Sequence, residues 1–379
     1  MRFLHLADLH LGKTLHKQNL LADQRFILQQ ILETARTREI DAVLIAGDVY
    51  QRNAPSADAM TLFSDFLAAL ADMQLPVYVI SGNHDSAERV AYLSEIAAHS
   101  GIRIAGADSA AVYSYPAEDA YGSLTVHLMP FTAPLQVRQK YPDEADGIRS
   151  YDDAIRVLLS HYPLPDDGGR HIMVAHQFLT GGAVCESEEL AIGGLDNISA
   201  ALFDGYDYVA LGHLHGPQYV SRPEIRYAGS PLKYSFSEVH QHKSVTIADI
   251  REKGNVTIET VSLTPLHEMQ ELTGTLDALM QHEPTEDYLH VILTDDNPPS
   301  DAVRMLRTVF PNLLQMTVQN TRMRADYVPE EQTLPQRTDF AALLTDFYAA
   351  QNQGAEPTEQ QMQIVRDLLE QLDREAGAL

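Results

Sequence analysis

The sequence predicts an α/β protein in which two mixed β-sheets are sandwiched between helices, with a small α+β capping domain and C-terminal helices. Three observations predict it. Short apolar runs alternate with amphipathic stretches in the first part of the chain, strand-like runs dominate from residue 123, and helical periodicity takes over after Pro335. Alternation of strand and helix at these lengths is the pattern of layered α/β proteins.

Residues 3–7, 42–46 and 76–80 read as strands, the last apolar on both faces. Between them, 21–38 and 57–72 carry helical periodicity, with Phe26, Leu28, Ile31, Leu32 and Ala35 on one face of the first. Further strands are expected at 124–128, 172–176, 206–211, 225–228, 244–250 and 256–263. Turns such as Glu252-Lys253-Gly254-Asn255 join the later ones as a meander. Pro265 marks a boundary. Beyond it come a helix, a strand at 288–293, a helix at 301–310 capped by Asp296-Asn297-Pro298-Pro299-Ser300, and a strand at 313–318. After Pro335, Phe340, Leu343, Leu344, Phe347 and Tyr348 form one helical stripe. Gly354 and Pro357 break it, and Thr358 opens a second helix with Gln361 placed for a capping box. Met362, Val365, Leu368, Leu369 and Leu372 make the second stripe. The expected domains are therefore 1–265, 266–335 and a helical segment 336–379. The terminal stripes either pack on the parent domain or form a hairpin offered to a partner.

Composition constrains function from another side. The chain of 379 residues has 53 acidic and 27 basic side chains and a formal charge of −26. Proteins that bind DNA alone normally show a basic footprint, because phosphate neutralisation supplies most of the non-specific affinity. An acidic enzyme of a small substrate fits this balance; a nuclease must take neutralisation from metal ions and a partner. Cys185 is the single cysteine, which excludes an internal disulfide framework and fits a reducing compartment. Without a Cys-x-x-Cys partner it reads as incidental. The N-terminus lacks the apolar stretch of a signal peptide, and no run approaches the ~18 apolar residues of a membrane span. A cytoplasmic protein is expected.

Five short motifs each follow an apolar run: Asp8-Leu9-His10, Gly47-Asp48, Gly82-Asn83-His84-Asp85, His176 in Ala175-His176-Gln177, and Gly212-His213-Leu214-His215. In α/β sheets, sites gather beyond the carboxyl ends of strands, so motifs far apart in sequence converge in space. Carboxylate, amide and imidazole donors without a thiolate suit two divalent metals about 3.5–4 Å apart, with Asp48 the candidate bridge. Each motif alone is weak, because Asp-x-His arises by chance and a lone histidine is usually structural. All five in order carry the argument. His5, His16, His99, His127 and His161 lack such context and read as structural or surface residues.

The five motifs resemble the calcineurin-like metallophosphoesterases, a four-layer fold, over roughly residues 1–265. Within that superfamily, His5-Leu6-Ala7-Asp8-Leu9-His10-Leu11-Gly12 resembles the SbcD nuclease family. So do Gly47-Asp48-Val49-Tyr50 followed by Ala54-Pro55-Ser56, and the stretch Tyr227-Ala228-Gly229-Ser230-Pro231-Leu232-Lys233-Tyr234-Ser235-Phe236. The resemblance implies one metal on Asp8, His10, Asp48 and His215 and another on Asp48, Asn83, His176 and His213. Manganese is the implied ion, although the donor set alone also admits iron or zinc. His84 is implied to lie over the scissile phosphate and serve the leaving group, with Asp85 hydrogen-bonded to it. The implied activity is a manganese-dependent DNA nuclease, a duplex exonuclease and a single-strand or hairpin endonuclease, attacking through a two-metal-activated hydroxide. Its implied setting is DNA end processing, replication, repair and recombination at the nucleoid. The implied partner is SbcC, a coiled-coil ATPase docked by the terminal helices, around a homodimer within a heterotetramer. The chain has no Gly-x-x-x-x-Gly-Lys-Ser/Thr loop, so ATP hydrolysis falls to that partner. A phosphatase or cyclic-nucleotide phosphodiesterase would share the metal site, yet the added domain and helices are superfluous for a small substrate. Intact ligand positions count against a non-catalytic scaffold.

Overall fold

The computed structural model describes residues 1–186, 188 and 197–319, and five positions near the C-terminus, 348, 357, 358, 361 and 362. The chain divides into the compact units Met1–Asn320 and Thr321–Leu379.

Two six-stranded sheets build most of the first unit. The first runs in the order Val256–Ser262, Ser244–Ile250, Arg2–Leu6, Ala42–Ala46, Val77–Ile80, Ile102–Ile104. Its last four strands are parallel and the 244–250 strand pairs antiparallel on both sides. The second runs Gln218–Val220, Arg222–Tyr227, Tyr208–Gly212, Arg170–His176, Gly122–Met129, Tyr113–Asp119, parallel in the centre and antiparallel at both edges. Both sheets are therefore mixed, as expected.

Alternation along the strands separates the layers. Leu4, Val43 and Ile45 face the helices Leu21–Thr37 and Ala57–Asp72, packing on Ile27, Ile31, Leu62 and Phe66. Phe3, Leu44 and Tyr78 point the other way and meet Val126, Ile172, Val174 and Tyr208 of the second sheet. The far face of that sheet packs Met173, Val209 and Leu211 on Ile155 and Leu158 of the helix Tyr151–His161. Each fully buried Val, Leu or Ile stabilises the stack by about 1.5–3 kcal/mol before chain entropy is counted. The layers thus run helix, sheet, sheet, helix.

A third sheet of three parallel strands, Met269–Gly274, Tyr288–Leu293 and Leu313–Val318, carries the helices Leu276–Met280 and Ala302–Leu306 over its own core of Leu289, Val291, Leu293 and Phe310. Here the strand Met269–Gly274 precedes the expected first helix, and the second helix is shorter than 301–310. In the second unit, the expected capping box is formed: Thr358 N–H donates to Gln361 Oε1 at 2.8 Å, and Gln361 N–H to Thr358 Oγ1 at 3.4 Å. The rest of segment 336–379, with both stripes except Tyr348 and Met362, lies outside the described residues.

Candidate metal centre

Each of the five motifs sits at or just past the carboxyl end of a parallel strand: Arg2–Leu6, Ala42–Ala46 and Val77–Ile80 in the first sheet, Arg170–His176 and Tyr208–Gly212 in the second. Because the sheets stack face to face, these ends meet. His176 Nδ1 lies 2.8 Å from the Ala46 carbonyl, and His213 N–H donates to Asp8 Oδ1 at 2.9 Å. The loops are tied along the backbone as well, Asp8 N–H to Gly47 O at 3.1 Å and His10 N–H to Asp48 O at 2.9 Å.

The backbone here is strained. Asp8, His10, Asp48 and His213 take positive φ of 53°, 43°, 49° and 108°, and Gly47 takes 84°. Such conformations cost about 1–3 kcal/mol per non-glycine residue and persist only where the surroundings enforce them. They turn four polar side chains toward one buried point.

Asp48 Oδ2 is the centre, 3.5 Å from both His10 Nε2 and His176 Nε2 and 3.9 Å from His84 Nε2. On one side His10 Nε2 and His215 Nε2 face each other at 3.1 Å, with Asp8 close enough to complete a ligand group. On the other side Asn83 Oδ1 lies 3.0 Å from His176 Nε2 and 3.1 Å from His213 Nδ1. All seven expected donors are therefore together.

Their electrostatics fit a bound cation. Asp8 Oδ2, fully buried, finds no hydrogen-bond donor, and His10 Nδ1 and His213 Nε2 have no partner either. Burial would raise the Asp48 carboxyl, but His176, His10 and His84 outweigh it and hold it well below the carboxylate range. Burial pushes Asp8 up to about 7 against the pull of His176 and His215. His176 goes to about 9 because Asp48 and Asp8 overcome its desolvation. Burial depresses His213 to about 3 and takes His10 well below its ordinary value, leaving both as neutral imidazoles. Isolated buried carboxylates facing several imidazoles with unpaired atoms are what divalent ions resolve.

Asp85 corrects one expectation. Its carboxylate accepts backbone N–H groups from Val49 at 3.0 Å, Tyr50 at 2.9 Å and Gly82 at 2.9 Å, and His84 is not among its partners. With three donors presented by two adjacent loops, Asp85 staples the Asp48 loop to the Asn83 loop. His84 is instead fixed by its backbone, whose N–H donates to Asp48 Oδ1 at 2.9 Å, while its ring packs edge-on against His10.

Several contributors carried no sequence signal. Gln24 donates to His10 O at 2.7 Å and accepts from Gly12 N at 2.9 Å, bracing the first loop from the helix Leu21–Thr37. Glu238 and Lys243 are buried beside His215. Cys185, read as incidental, lies close enough to Glu188 and His215 to form a ligand group with them. His5 bonds Tyr208 Oη and the Leu211 carbonyl at 2.9 and 3.1 Å, the structural role expected of it.

Comparison with known proteins covers nearly the whole chain. Residues 1–217 match the calcineurin-like phosphoesterase family, and residues 265–352 match the type 5 capsule protein repressor C-terminal domain. Over 357 residues the sequence is 32% identical to the SbcD subunit of the SbcCD nuclease of Staphylococcus saprophyticus, covering 92% of each chain. Among solved structures, a dimetal phosphatase from Danio rerio matches with 10% identity and a TM-score of 0.44, over 70% of this chain and 98% of its own. A Thermus thermophilus protein matches with 14% identity and a TM-score of 0.40, over 68% of this chain and 98% of its own.

Proposed function

The chain belongs to the calcineurin-like phosphoesterases and, within them, to the SbcD nuclease family, and from that premise we propose that it is a manganese-dependent nuclease of DNA. It acts as an exonuclease on duplex ends and an endonuclease on single strands and hairpins. The observation that supports this best is the convergence of seven donors from five strand ends around Asp48, with Asp8 Oδ2 left without a donor. In this reading Asp8, His10, Asp48 and His215 hold one divalent ion, and Asp48, Asn83, His176 and His213 the other. Two such ions supply a water acidified to near neutral pH and neutralise the phosphodiester oxygens. The mixed oxygen and imidazole donors accommodate manganese, the ion the family resemblance implies, and also admit iron or zinc. His84, at the half-buried rim, is the group left to hand a proton to the leaving sugar oxygen. Asp85 holds the two ligand loops in mutual register.

Family membership also supports an SbcC-type ATPase as partner, met through the segment 336–379, around a homodimer within a heterotetramer. That partner answers the charge of −26, which leaves the chain alone a poor ligand for polyphosphate. The division into 1–265, 266–335 and 336–379, and a cytoplasmic place at the nucleoid, belong to the same proposal. No described helix is long and apolar enough to cross a membrane.

The test is cleavage of end-labelled duplex and hairpin DNA with Mn2+, with and without the ATPase partner and ATP, beside a small aryl phosphodiester. Manganese-dependent nucleotide release from DNA, stimulated by the partner, is expected. Hydrolysis of the small ester with DNA untouched even in the complex would overturn the nuclease reading.

A further inference from the structure

His215 is held by a buried ion pair that no motif announces. Glu238 closes the short turn Phe236–Glu238 and is fully buried. Its Oε1 stands 3.5 Å from His215 Nδ1 and accepts from Tyr234 N–H at 3.2 Å, while Oε2 accepts from Lys243 Nζ at 2.5 Å. Lys243 Nζ also donates to the His215 carbonyl and to Ser230 Oγ, both at 2.9 Å. One pair therefore grips His215 by ring and by backbone. The carboxylate thus has an ammonium against one oxygen and an imidazole facing the other.

Such a pair needs a reason. Removing a carboxylate and an ammonium from water costs several kcal/mol per ion, and well-packed apolar residues often fill the same space with equal or better stability. The geometry supplies one. His215 turns Nε2 toward His10 Nε2, which leaves Nδ1 as the atom facing Glu238. A carboxylate behind the outer nitrogen of a metal-ligating imidazole fixes its tautomer and orientation and raises its basicity. The turn is itself wedged in place, because Phe236 packs on His290 of the third sheet with ring centroids 5.3 Å apart.

We propose that Glu238, locked by Lys243, is the positioning residue for His215, holding the ring so that Nε2 is aimed at the ion site shared with Asp8 and His10. The inference rests on the two-ion reading above. It assigns the pair to one of the two sites, because the ligand that Glu238 and Lys243 grip by ring and by carbonyl is His215.

The test is a calorimetric Mn2+ titration of the parent chain, Glu238→Gln, and the double variant Glu238→Leu/Lys243→Met, with His215→Ala and Asn83→Ala as references. Circular dichroism and Tm establish that each is folded; the double variant leaves no buried charge unpaired and guards against misfolding. The parent should take two ions. Glu238→Gln and the double variant should each weaken one ion by about 10–100-fold, the usual effect of losing such a partner, and leave the other unchanged. Adding Glu238→Gln to His215→Ala should cost little more, whereas adding it to Asn83→Ala should show its full effect. Folded variants that bind both ions with parental affinity would overturn the positioning role. A parent that binds fewer than two ions would overturn the metal reading, and this inference with it.

Discussion

His84 differs from the buried aspartate and histidine donors in exposure and in what holds it. Its ring is 12% exposed where the Asp48 side chain is 3%, and Nε2 lies 3.9 Å from Asp48 Oδ2. Asp85 leaves the ring alone and spends both oxygens on backbone N–H groups. His84 lies close enough to His10 and Asp48 to form a ligand group with them, and in the proposed function this side chain, fixed mainly through its main chain, serves the departing oxygen instead. His84→Gln should therefore keep both ions, the fold and DNA affinity, while turnover falls about 100-fold or more, the scale of losing a general acid. The defect should shrink on an aryl phosphodiester, whose phenolate leaves without a proton. Metal analysis together with single-turnover cleavage checks both halves. Loss of an ion in His84→Gln would make it a ligand, and near-normal cleavage would remove it from the chemistry.

At the scale of elements, the site depends on how closely two strand ends approach. A Cβ on Gly212 would lie well inside contact distance of the Ala46 carbonyl, and 2.7 Å from His176 Nδ1. Backbone cannot step aside as a flexible side chain can, so Gly212→Ala should push the sheets apart where the ligand loops begin. We expect a loss of about 1–3 kcal/mol, the range for overpacking, measured by denaturant titration, and a larger fall in metal affinity than in stability. An unaltered ion titration would show that the approach has slack. The strand 42–46, buried on both faces, falls where an apolar run places it. The edge strand Tyr113–Asp119 was not legible, because it alternates half-buried and exposed residues and carries Pro116. The helix Tyr151–His161 opens on Ser150 and Asp153, a reciprocal capping pair. The ligands were legible because each follows an apolar run. Their supports were not: Gln24 looks like a solvent-facing helix residue, yet it is buried and braces His10. Glu238 likewise meets His215 only through folding. Partners set by tertiary contact leave no period in the sequence.

For the whole molecule, the acidic balance of −26 and the buried centre pull in the same direction, toward dependence on cations. Without ions, protons must do part of their work. Burial raises Asp8 to about 7, and Asp48 and Asp8 raise His176 to about 9 despite its burial. Both folded values lie above the ordinary 3.8 and 6.5. The stability from protonated Asp8 is thus complete below pH 3.8 and lost by about pH 7; that from protonated His176 is complete below 6.5 and lost as pH passes about 9. In chelator, Tm should therefore fall as pH rises from 6.5 to 9. Ions bind only the deprotonated ligands, so Mn2+ should stabilise increasingly over the same interval. The gap in Tm between manganese-loaded and chelated protein should widen with pH. At pH 8, below the His176 value of about 9, binding should release close to one proton from that ring. Calorimetry in two buffers of different ionisation enthalpy reads that proton directly. A binding enthalpy independent of buffer, with a Tm gap that stays flat across the interval, would show that His176 does not change protonation when the centre fills.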